Sequence, residues 1–352
     1  MLTALWSGLG GELAKQWVAR LLTPAFAFWS GGVAAVWYHE RSADVHSRGW
    51  AAELAATARP LQALPVLGQA VLLLGTLFLL AASALLAERL TTPVLRILEG
   101  YWSRPRWLWR LLVAAHGRPR ERWARQVAPL AVRQRRGGLS VSEYQQLRRL
   151  LASPIGDPQV LAELQGRQRE GFSADDQSRL TRGRQVLYRI PEQTQLRMPS
   201  RLGNQLRAAE RRPAERYGLD AAVCWTALWL VLPEPTRTEL TQARAALDSA
   251  TRTWLWGALF LVWTPWVWWA LPVGLLIPAA AYRISLLSAA GAFGALVVAA
   301  FDLNRMALYD ALHVARPTTP ERERRITAPL VNNMLWGGTD GSGTTFVAAP
   351  SA

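Results

Sequence analysis

Lysine and cysteine are almost missing from this 352-residue chain. Lysine and arginine together number 40, and only Lys15 is a lysine, so the basic groups are nearly all guanidinium groups. The formal net charge is +15. Cys224 is the single cysteine, which excludes an intramolecular disulfide and a metal cluster built on several thiolates. Abundant alanine, glycine and proline with this arginine bias are typical of a bacterial genome rich in G and C.

The motifs of common enzymes are also missing. The sequence has no G-x-x-x-x-G-K-[ST] phosphate loop, no H-E-x-x-H and no G-x-S-x-G. Cys224 lies among apolar residues with no histidine nearby in sequence, which indicates an inert buried thiol. His39 and His46 flank Glu40 and Asp44, but their spacing fits no regular pattern of metal ligands. We therefore expect no enzyme activity, no cofactor and no metal site.

Long uncharged runs are present instead, although mean hydropathy is only +0.06. Leu61–Ala87 has 27 residues without a charge, Trp254–Tyr282 has 29, and Ile284–Phe301 has 18. A bilayer core needs roughly 20 apolar residues of helix. A buried helix of a soluble protein normally keeps a polar stripe. The sequence therefore predicts an all-α integral membrane protein, with Leu21–Tyr38 as a first crossing or, alternatively, a bent re-entrant segment.

Four crossings are expected, at about residues 18–38, 61–87, 254–273 and 279–301. The last two would form a hairpin that turns between Pro272 and Pro278, because proline interrupts helical hydrogen bonding. Arg283 would then lie about one turn below the outer interface, with its side chain extended to water. The alternative is an inward-facing Arg283 that contacts an anion or a partner carboxylate. The N-terminus lacks the features of a cleaved signal peptide, so the first crossing is expected to target the chain.

The distribution of arginine predicts the orientation in the membrane. Residues 104–136 contain ten arginines and a single acid, Glu121, whereas the connection between residues 38 and 61 is balanced in charge. Positive charge next to a membrane helix stays in the cytoplasm. We expect both termini and the middle domain on the cytoplasmic side of a bacterial inner membrane.

These crossings divide the chain into four parts. They are an N-terminal membrane part (1–102), an arginine-rich helical cytoplasmic domain (103–235), a C-terminal membrane hairpin with cytoplasmic helical extensions (236–316) and a tail (317–352) that is largely disordered after 335. Ser140–Glu143 has the spacing of a capping box, Thr236–Glu239 is predicted to begin another helix, and a third begins near Ser173.

The beginning of the arginine block combines basic and aromatic side chains. The residues in question are Arg104, Arg106, Trp107, Trp109 and Arg110. Their closeness to the second crossing favours contact with anionic lipid headgroups. A nucleic-acid surface is a weaker alternative, and a solvated face that only fixes the topology is another.

Residues 201–225 have the sequence RLGNQLRAAERRPAERYGLDAAVCW. This stretch resembles an uncharacterised family of bacterial multi-pass membrane proteins. In that family an RLGN…LRAAE segment precedes an RYGLDA…W segment, and the TTPVLRILEGYW run at residues 91–102 fits the same group. The resemblance implies about four membrane helices and implies no activity.

The polar residues of this stretch are predicted to form a buried network of ion pairs and hydrogen bonds, or alternatively a ligand pocket. They are Arg201, Asn204, Glu210, Arg216, Tyr217 and Asp220. Gly218 is a predicted helix cap.

These features predict a homo-oligomeric membrane assembly, a gated channel or pore regulated by its cytoplasmic domain. Small residues that suit close helix packing in lipid support this prediction, namely Ala290, Gly291, Gly294 and Ala295. The alternative is a non-conducting membrane scaffold or effector, for example in stress or phage defence, that recruits a cytoplasmic protein partner. A lipid-handling protein is a third possibility.

Overall fold

The described residues of the computed structural model, 23–102, 105–152 and 157–337, are helical and contain no strand. The all-α prediction is therefore confirmed for them. The α-helices are α1 Thr23–Arg48, α2 Trp50–Gln62, α3 Val66–Glu99, α4 Arg106–Arg135, α5 Val141–Ala152, α6 Pro158–Glu170, α7 Ala174–Arg189, α8 Arg201–Tyr217, α9 Ala221–Val231, α10 Glu234–Leu259, α11 Ala270–Ala280, α12 Leu287–Ala311, α13 Pro320–Arg322 and α14 Ala328–Leu335. Thr194–Leu196 and Phe260–Trp263 are 3-10 turns, and Ala281–Leu286 and Glu323–Thr327 are π-helical.

The chain divides into two compact units. The first comprises residues up to Ile97 together with Thr241–Phe293, and the second comprises Leu98–Leu240 together with the residues from Gly294 onward. Residues 18–22 of the predicted first crossing, Arg104, and residues 338–352 of the predicted disordered tail lie outside the described residues.

In the first unit, α1 and α2 form an antiparallel pair joined at Gly49, which has φ 83°. Arg41 pairs with the buried carboxylate of Glu53 at 2.9 Å. The indole nitrogen of Trp37 donates to the hydroxyl of Thr57 at 2.9 Å. The connection between the first two predicted crossings is therefore a helical pair held by polar contacts.

Two helical stretches among the described residues are long and apolar enough to cross a membrane, Val66–Glu99 and Ala270–Ala311. In α3, only 11% of the most apolar 18-residue window is buried. The core helix of a soluble protein would be mostly buried there, whereas α3 exposes large apolar side chains along its length. Examples are Val66, Leu67, Val71, Leu74 and Phe78. α3 also continues past Pro93, to Glu99.

The C-terminal half of α3 packs with α1 and α10 in one apolar cluster. Its buried members are Ala25, Phe28, Ala84, Ala87, Leu255 and Trp256. Small residues bring the helices close together, since a Cβ on Gly32 would lie 2.0 Å from the Trp263 ring. Ala87 and Leu255 belong to the same cluster. Glu88 and Arg89, which follow Ala87 directly, therefore lie at about the level of Leu255 on α10.

The reversal of the C-terminal hairpin differs from the prediction. The chain turns at residues 264–269, and α11 is helical through the expected turn. Pro272 lies in the first turn of α11, where backbone N–H groups have no partner within the helix, so a proline there costs little. Pro278 removes one backbone donor near the end of α11, and the π-helical segment Ala281–Leu286 begins three residues later. The turn prediction was wrong because the effect of a proline on a helix depends on its position in that helix, and a pair of prolines does not by itself end one.

Arg283 consequently lies at the other end of the hairpin from the one predicted. Gly257 faces Ile277, and Arg244 lies over the Phe293 ring at 6.0 Å, so residue 283 is level with Arg252. It is thirteen residues past the start of α11, or about 20 Å along the helix from the tryptophan-rich turn. Its side chain is exposed.

The uncharged run that was predicted as the last crossing is shared between the two units. A Cβ on Gly294 would lie 2.9 Å from Ala209, and the Phe301 ring lies 6.2 Å from that of Trp225. Val298, Ala300 and Phe301 are buried. The end of this run is therefore part of a protein core, which sequence composition alone does not distinguish from lipid contact.

The second unit begins with helices whose starts follow sequence signals. The capping box is confirmed, because the Ser140 N–H donates to Glu143 Oε2 at 2.8 Å and the Glu143 N–H to Ser140 Oγ at 3.3 Å. Ser173 caps α7 as predicted. The start of α10 at Glu234 precedes the predicted Thr236, because proline fits the first turn of a helix.

The close approach at Gly203 generates a stability prediction. A Cβ there would lie 2.0 Å from the backbone oxygen of Glu99, so Gly203→Ala should lower the free energy of unfolding by about 1–3 kcal/mol. Gly166, inside α6, has nothing within 4 Å, and Gly166→Ala should be stabilising by about 0.5–1 kcal/mol. Thermal unfolding of both variants in detergent checks this, and equal effects would contradict the packing described.

Candidate functional site

Asn204, one of the predicted network residues, stabilises the turn before α8. Its side chain accepts from the Met198 N–H at 2.8 Å and donates to the oxygens of Met198 and Ser200 at 2.8 and 2.9 Å. Ser200 accepts from the Gly203 N–H and donates to the Glu99 oxygen, both at 2.9 Å. Asn204 is buried and its hydrogen-bonding capacity is used, so it is a structural residue.

Arg201 and Glu210 lie apart from the other predicted residues. Arg201 is exposed in the first turn of α8. Glu210 pairs with Arg207 on the same helix at 2.9 Å, and both side chains are about one-third exposed. An exposed pair at this spacing contributes only a few tenths of a kcal/mol, on the order of 0.3. The structure does not bring these two residues into a common site.

Arg216 and Tyr217, at the end of α8, meet on one carboxylate. Arg216 donates to Asp302 Oδ2 at 2.6 Å, and the Tyr217 hydroxyl donates to Asp302 Oδ1 at 2.7 Å. Asp302 lies on α12, more than 80 residues further along the chain. It is the first charge after an 18-residue uncharged run, which is the only sequence signal that could have identified it.

A second carboxylate, Glu323, extends this group of contacts. Its Oε1 accepts from Arg305 Nε and from the Tyr309 hydroxyl, both at 2.9 Å. The Arg305 guanidinium lies over the Tyr217 ring, 4.1 Å from its centroid. Glu323 and Tyr309 are almost fully buried. We call the six residues Arg216, Tyr217, Asp302, Arg305, Tyr309 and Glu323 the polar cluster.

The pKa shifts in the polar cluster keep its donors protonated. Burial lowers the pKa of Arg216, but the hydrogen bond and charge of Asp302 outweigh it, so the net shift is upward. Burial raises the pKa of Tyr217, and Asp302 raises it further. Burial and the bond to Glu323 likewise raise the pKa of Tyr309. These directions favour a fixed set of ion pairs and hydrogen bonds over a proton-transfer site.

Asp220 belongs to a neighbouring contact centred on Asn332 of α14. The Asp220 carboxylate caps α9, and its own N–H donates to Asn332 Oδ1 at 3.0 Å. Asn332 Nδ2 donates to the oxygen of Gly218 at 2.9 Å. Gly218 ends α8 with φ 84°, which confirms the predicted cap. The C-terminal helix is thus fastened to the junction of α8 and α9.

Cys224 is the third partner of Asn332, with its thiol donating to Oδ1 at 3.4 Å. The residue is fully buried, and burial raises the pKa of its thiol to about 12. Because the thiolate is the reactive form, Cys224 is inert at neutral pH in the folded chain.

Four of the five predicted lipid-contact residues lie in the first turns of α4, and Arg104 lies outside the described residues. Arg106, Trp107 and Arg110 are exposed, and Trp109 is half-buried. Trp107 is 67% exposed, which leaves a large indole ring without a protein neighbour over most of its surface. Contact of these residues with lipid stays a prediction.

Comparisons with protein families, with curated proteins and with solved structures find no match to this chain. The resemblance of residues 201–225 to a family of bacterial membrane proteins therefore stays a prediction.

The role of Asn332 can be tested through Cys224. Asn332→Ala removes bonds to two backbone groups and a thiol, so we expect a loss of about 1–3 kcal/mol and faster labelling of Cys224 by a maleimide at pH 7. Asn333→Ala, at the exposed neighbouring position, is the matched control and should change neither quantity. Equal labelling rates in the two variants would show that Asn332 does not hold α14 in place.

Proposed function

We propose that this chain is an integral membrane protein of a bacterial inner membrane, and that it forms a homo-oligomeric, gated pore controlled by its arginine-rich helical unit. The observation that carries the proposal is that α12 continues a helix that is long and apolar enough to cross a membrane and also bears three members of the polar cluster, Asp302, Arg305 and Tyr309.

Membrane insertion is supported first by α3. Its exposed apolar side chains require a solvent other than water, since soluble monomers rarely expose apolar patches larger than a few hundred Å², roughly 300–600. A helix also satisfies its own backbone groups, which is a condition for crossing hydrocarbon. The 22 residues from Val66 to Ala87 are uncharged and rise about 33 Å, close to the thickness of a bilayer core.

The first unit also has two chemically different ends. Arg89, Arg252 and Arg283 lie at one end. The other end has the tryptophan-rich turn at residues 264–269, and its arginines Arg41 and Arg48 lie next to the carboxylate of Glu53. Indole rings favour the headgroup layer, and arginines near a helix end extend toward the cytoplasmic headgroups. This arrangement supports an arginine end inside and a tryptophan end outside. Of the four crossings proposed, at about residues 18–38, 61–87, 254–273 and 279–301, the second lies in α3 and the last lies in the continuous helical stretch Ala270–Ala311, and both helices are long enough to cross.

Regulation by the second unit is supported by the polar cluster. The cluster joins α8 and the C-terminal segment to the last three turns of α12 through two carboxylates and four donors. Such contacts are directional and have discrete alternatives, so a rearrangement of α8 would shift or rotate α12. A basic inner entrance would favour anions as the conducted species.

Self-association is supported by apolar surface that the single chain leaves exposed. Of the four small residues predicted for helix contacts, Ala290 and Gly294 are buried within the chain, whereas Ala295 is exposed. The remaining exposed apolar side of α3 is therefore the larger surface on which a second copy would pack.

The orientation can be tested by labelling, because the buried Cys224 gives little background. Trp268→Cys places a thiol at a residue that is 80% exposed in the outer turn. We expect an impermeant maleimide to label it in intact cells, and to label Arg182→Cys on α7 only after permeabilisation. The reverse pattern would contradict the proposed orientation.

The assembly and its conductance need a separate test. The purified protein should be an oligomer by light scattering in several mild detergents, and reconstituted vesicles should show anion flux. Arg216→Asp should alter that flux, and the charge-swapped Arg216→Asp, Asp302→Arg variant should restore it if the pair controls the pore. A monomer without flux under any voltage, together with a specific cytoplasmic partner, would favour the scaffold function instead.

A further inference from the structure

A small cleft in the second unit collects arginines that no ion pair fully neutralises. It has a volume of about 210 Å³ and lies beside the end of α7. Its charged lining residues are Arg120, Arg184, Arg212, Glu192 and Glu215. We call it the arginine cleft. It contains none of the residues of the polar cluster.

Two of these arginines are held rigidly by the end of α7. Arg120 uses one terminal nitrogen to donate to the oxygens of Leu187 and Ile190, at 2.7 and 2.9 Å. Arg212 donates to the Tyr188 oxygen at 2.7 Å, and its guanidinium lies 4.0 Å from the Tyr188 ring centroid. Each guanidinium is fixed in orientation and keeps further N–H groups.

The remaining N–H groups are poorly satisfied by protein. The Nε of Arg212 is buried and has no hydrogen-bond partner among the described residues. The carboxylate closest to Arg120 is that of Glu192, at 3.8 Å, and this side chain is 80% exposed. An exposed carboxylate at that distance is a weak counter-ion because water screens it.

The electrostatic environment of Arg120 is unfavourable to its own charge. Burial is the largest cause that lowers its pKa, and the charges of Arg197 and Arg212 lower it further against the opposing effect of Glu192 and Glu215. Arginine nevertheless stays protonated in proteins. A half-buried, charged guanidinium with these neighbours is stabilised by an anion, and free N–H groups on planar forks match the oxygens of a phosphate.

We propose that the arginine cleft binds a phosphate group, with Arg120 and Arg212 as the fixed donors and Arg184 as the donor at the open side. The volume accommodates a phosphate and a few attached atoms. The ligand is either a soluble phosphate compound or the headgroup of an anionic phospholipid. This inference does not depend on the proposed pore, since the cleft is complete within the second unit.

Inorganic phosphate is the first probe. Equilibrium dialysis of the full-length protein in detergent with radiolabelled phosphate should show one saturable site. Arg184→Gln should weaken binding about tenfold, the effect of losing one charge-assisted hydrogen bond. Arg184 is exposed, so this variant should keep the thermal stability of the parent. Arg182→Gln makes the same charge change on the same helix outside the cleft and should bind like the parent.

Lipid is the second probe and separates the two sources. If the ligand is a headgroup, phosphatidylglycerol nanodiscs should raise the melting temperature above that in phosphatidylcholine nanodiscs, more for the parent and Arg182→Gln than for Arg184→Gln. If the ligand is soluble, inorganic phosphate should give that pattern in detergent and the lipids should not. No difference between Arg184→Gln and Arg182→Gln with either probe would overturn the proposal. Arg120 and Arg212 would then serve only to cap the end of α7.

Discussion

The outward surface of α3 imposes the constraint on which the rest of this structure depends. Large apolar side chains cover it from Val66 to Phe78 and beyond, and no other part of the first unit that the structure describes buries them. In water, each Å² of this surface would cost about 25 cal/mol. Hydrocarbon removes that cost and requires that every backbone group be satisfied within helices. In that solvent, the tryptophan-rich turn at residues 264–269 and the arginine end would each lie at a headgroup layer.

The second unit is stabilised by different forces. Its C-terminal segment is fastened by directional contacts, with Glu323 binding Arg305 and Tyr309 and with Asn332 bridging Gly218 and Asp220. Buried carboxylates of this kind are costly unless every oxygen is paired. They contribute little to net stability but fix one arrangement of the helices. That property would suit the regulatory role that we propose for this unit.

The sequence predicted local features better than long-range ones. The capping box at Ser140 and the end of α8 at Gly218 both depend on residues close together in the chain, so their chemistry can be read from spacing. The hairpin turn was misplaced because a proline in the first turn of a helix leaves that helix intact. The burial of the end of the last uncharged run within the protein could not be predicted, because a core helix and a lipid-facing helix have the same composition.

The candidate site was predicted only in part for the same reason. Arg216, Tyr217 and Asp220 were chosen as polar residues with a shared purpose, but their partners Asp302 and Asn332 lie about 85 and 112 residues away in sequence. Tertiary contacts of that length leave no periodic signal. The arginine cleft was missed because 39 arginines make any single one uninformative until the fold brings three of them together.

Fractionation of cells that express the full chain tests the central claim most directly. Hydrocarbon contact predicts that the protein sediments with membranes on ultracentrifugation, stays there after extraction at alkaline pH, and is released only by detergent. Recovery of a monodisperse protein in the aqueous supernatant without detergent would contradict this account, because the surface of α3 would then have to be compatible with water.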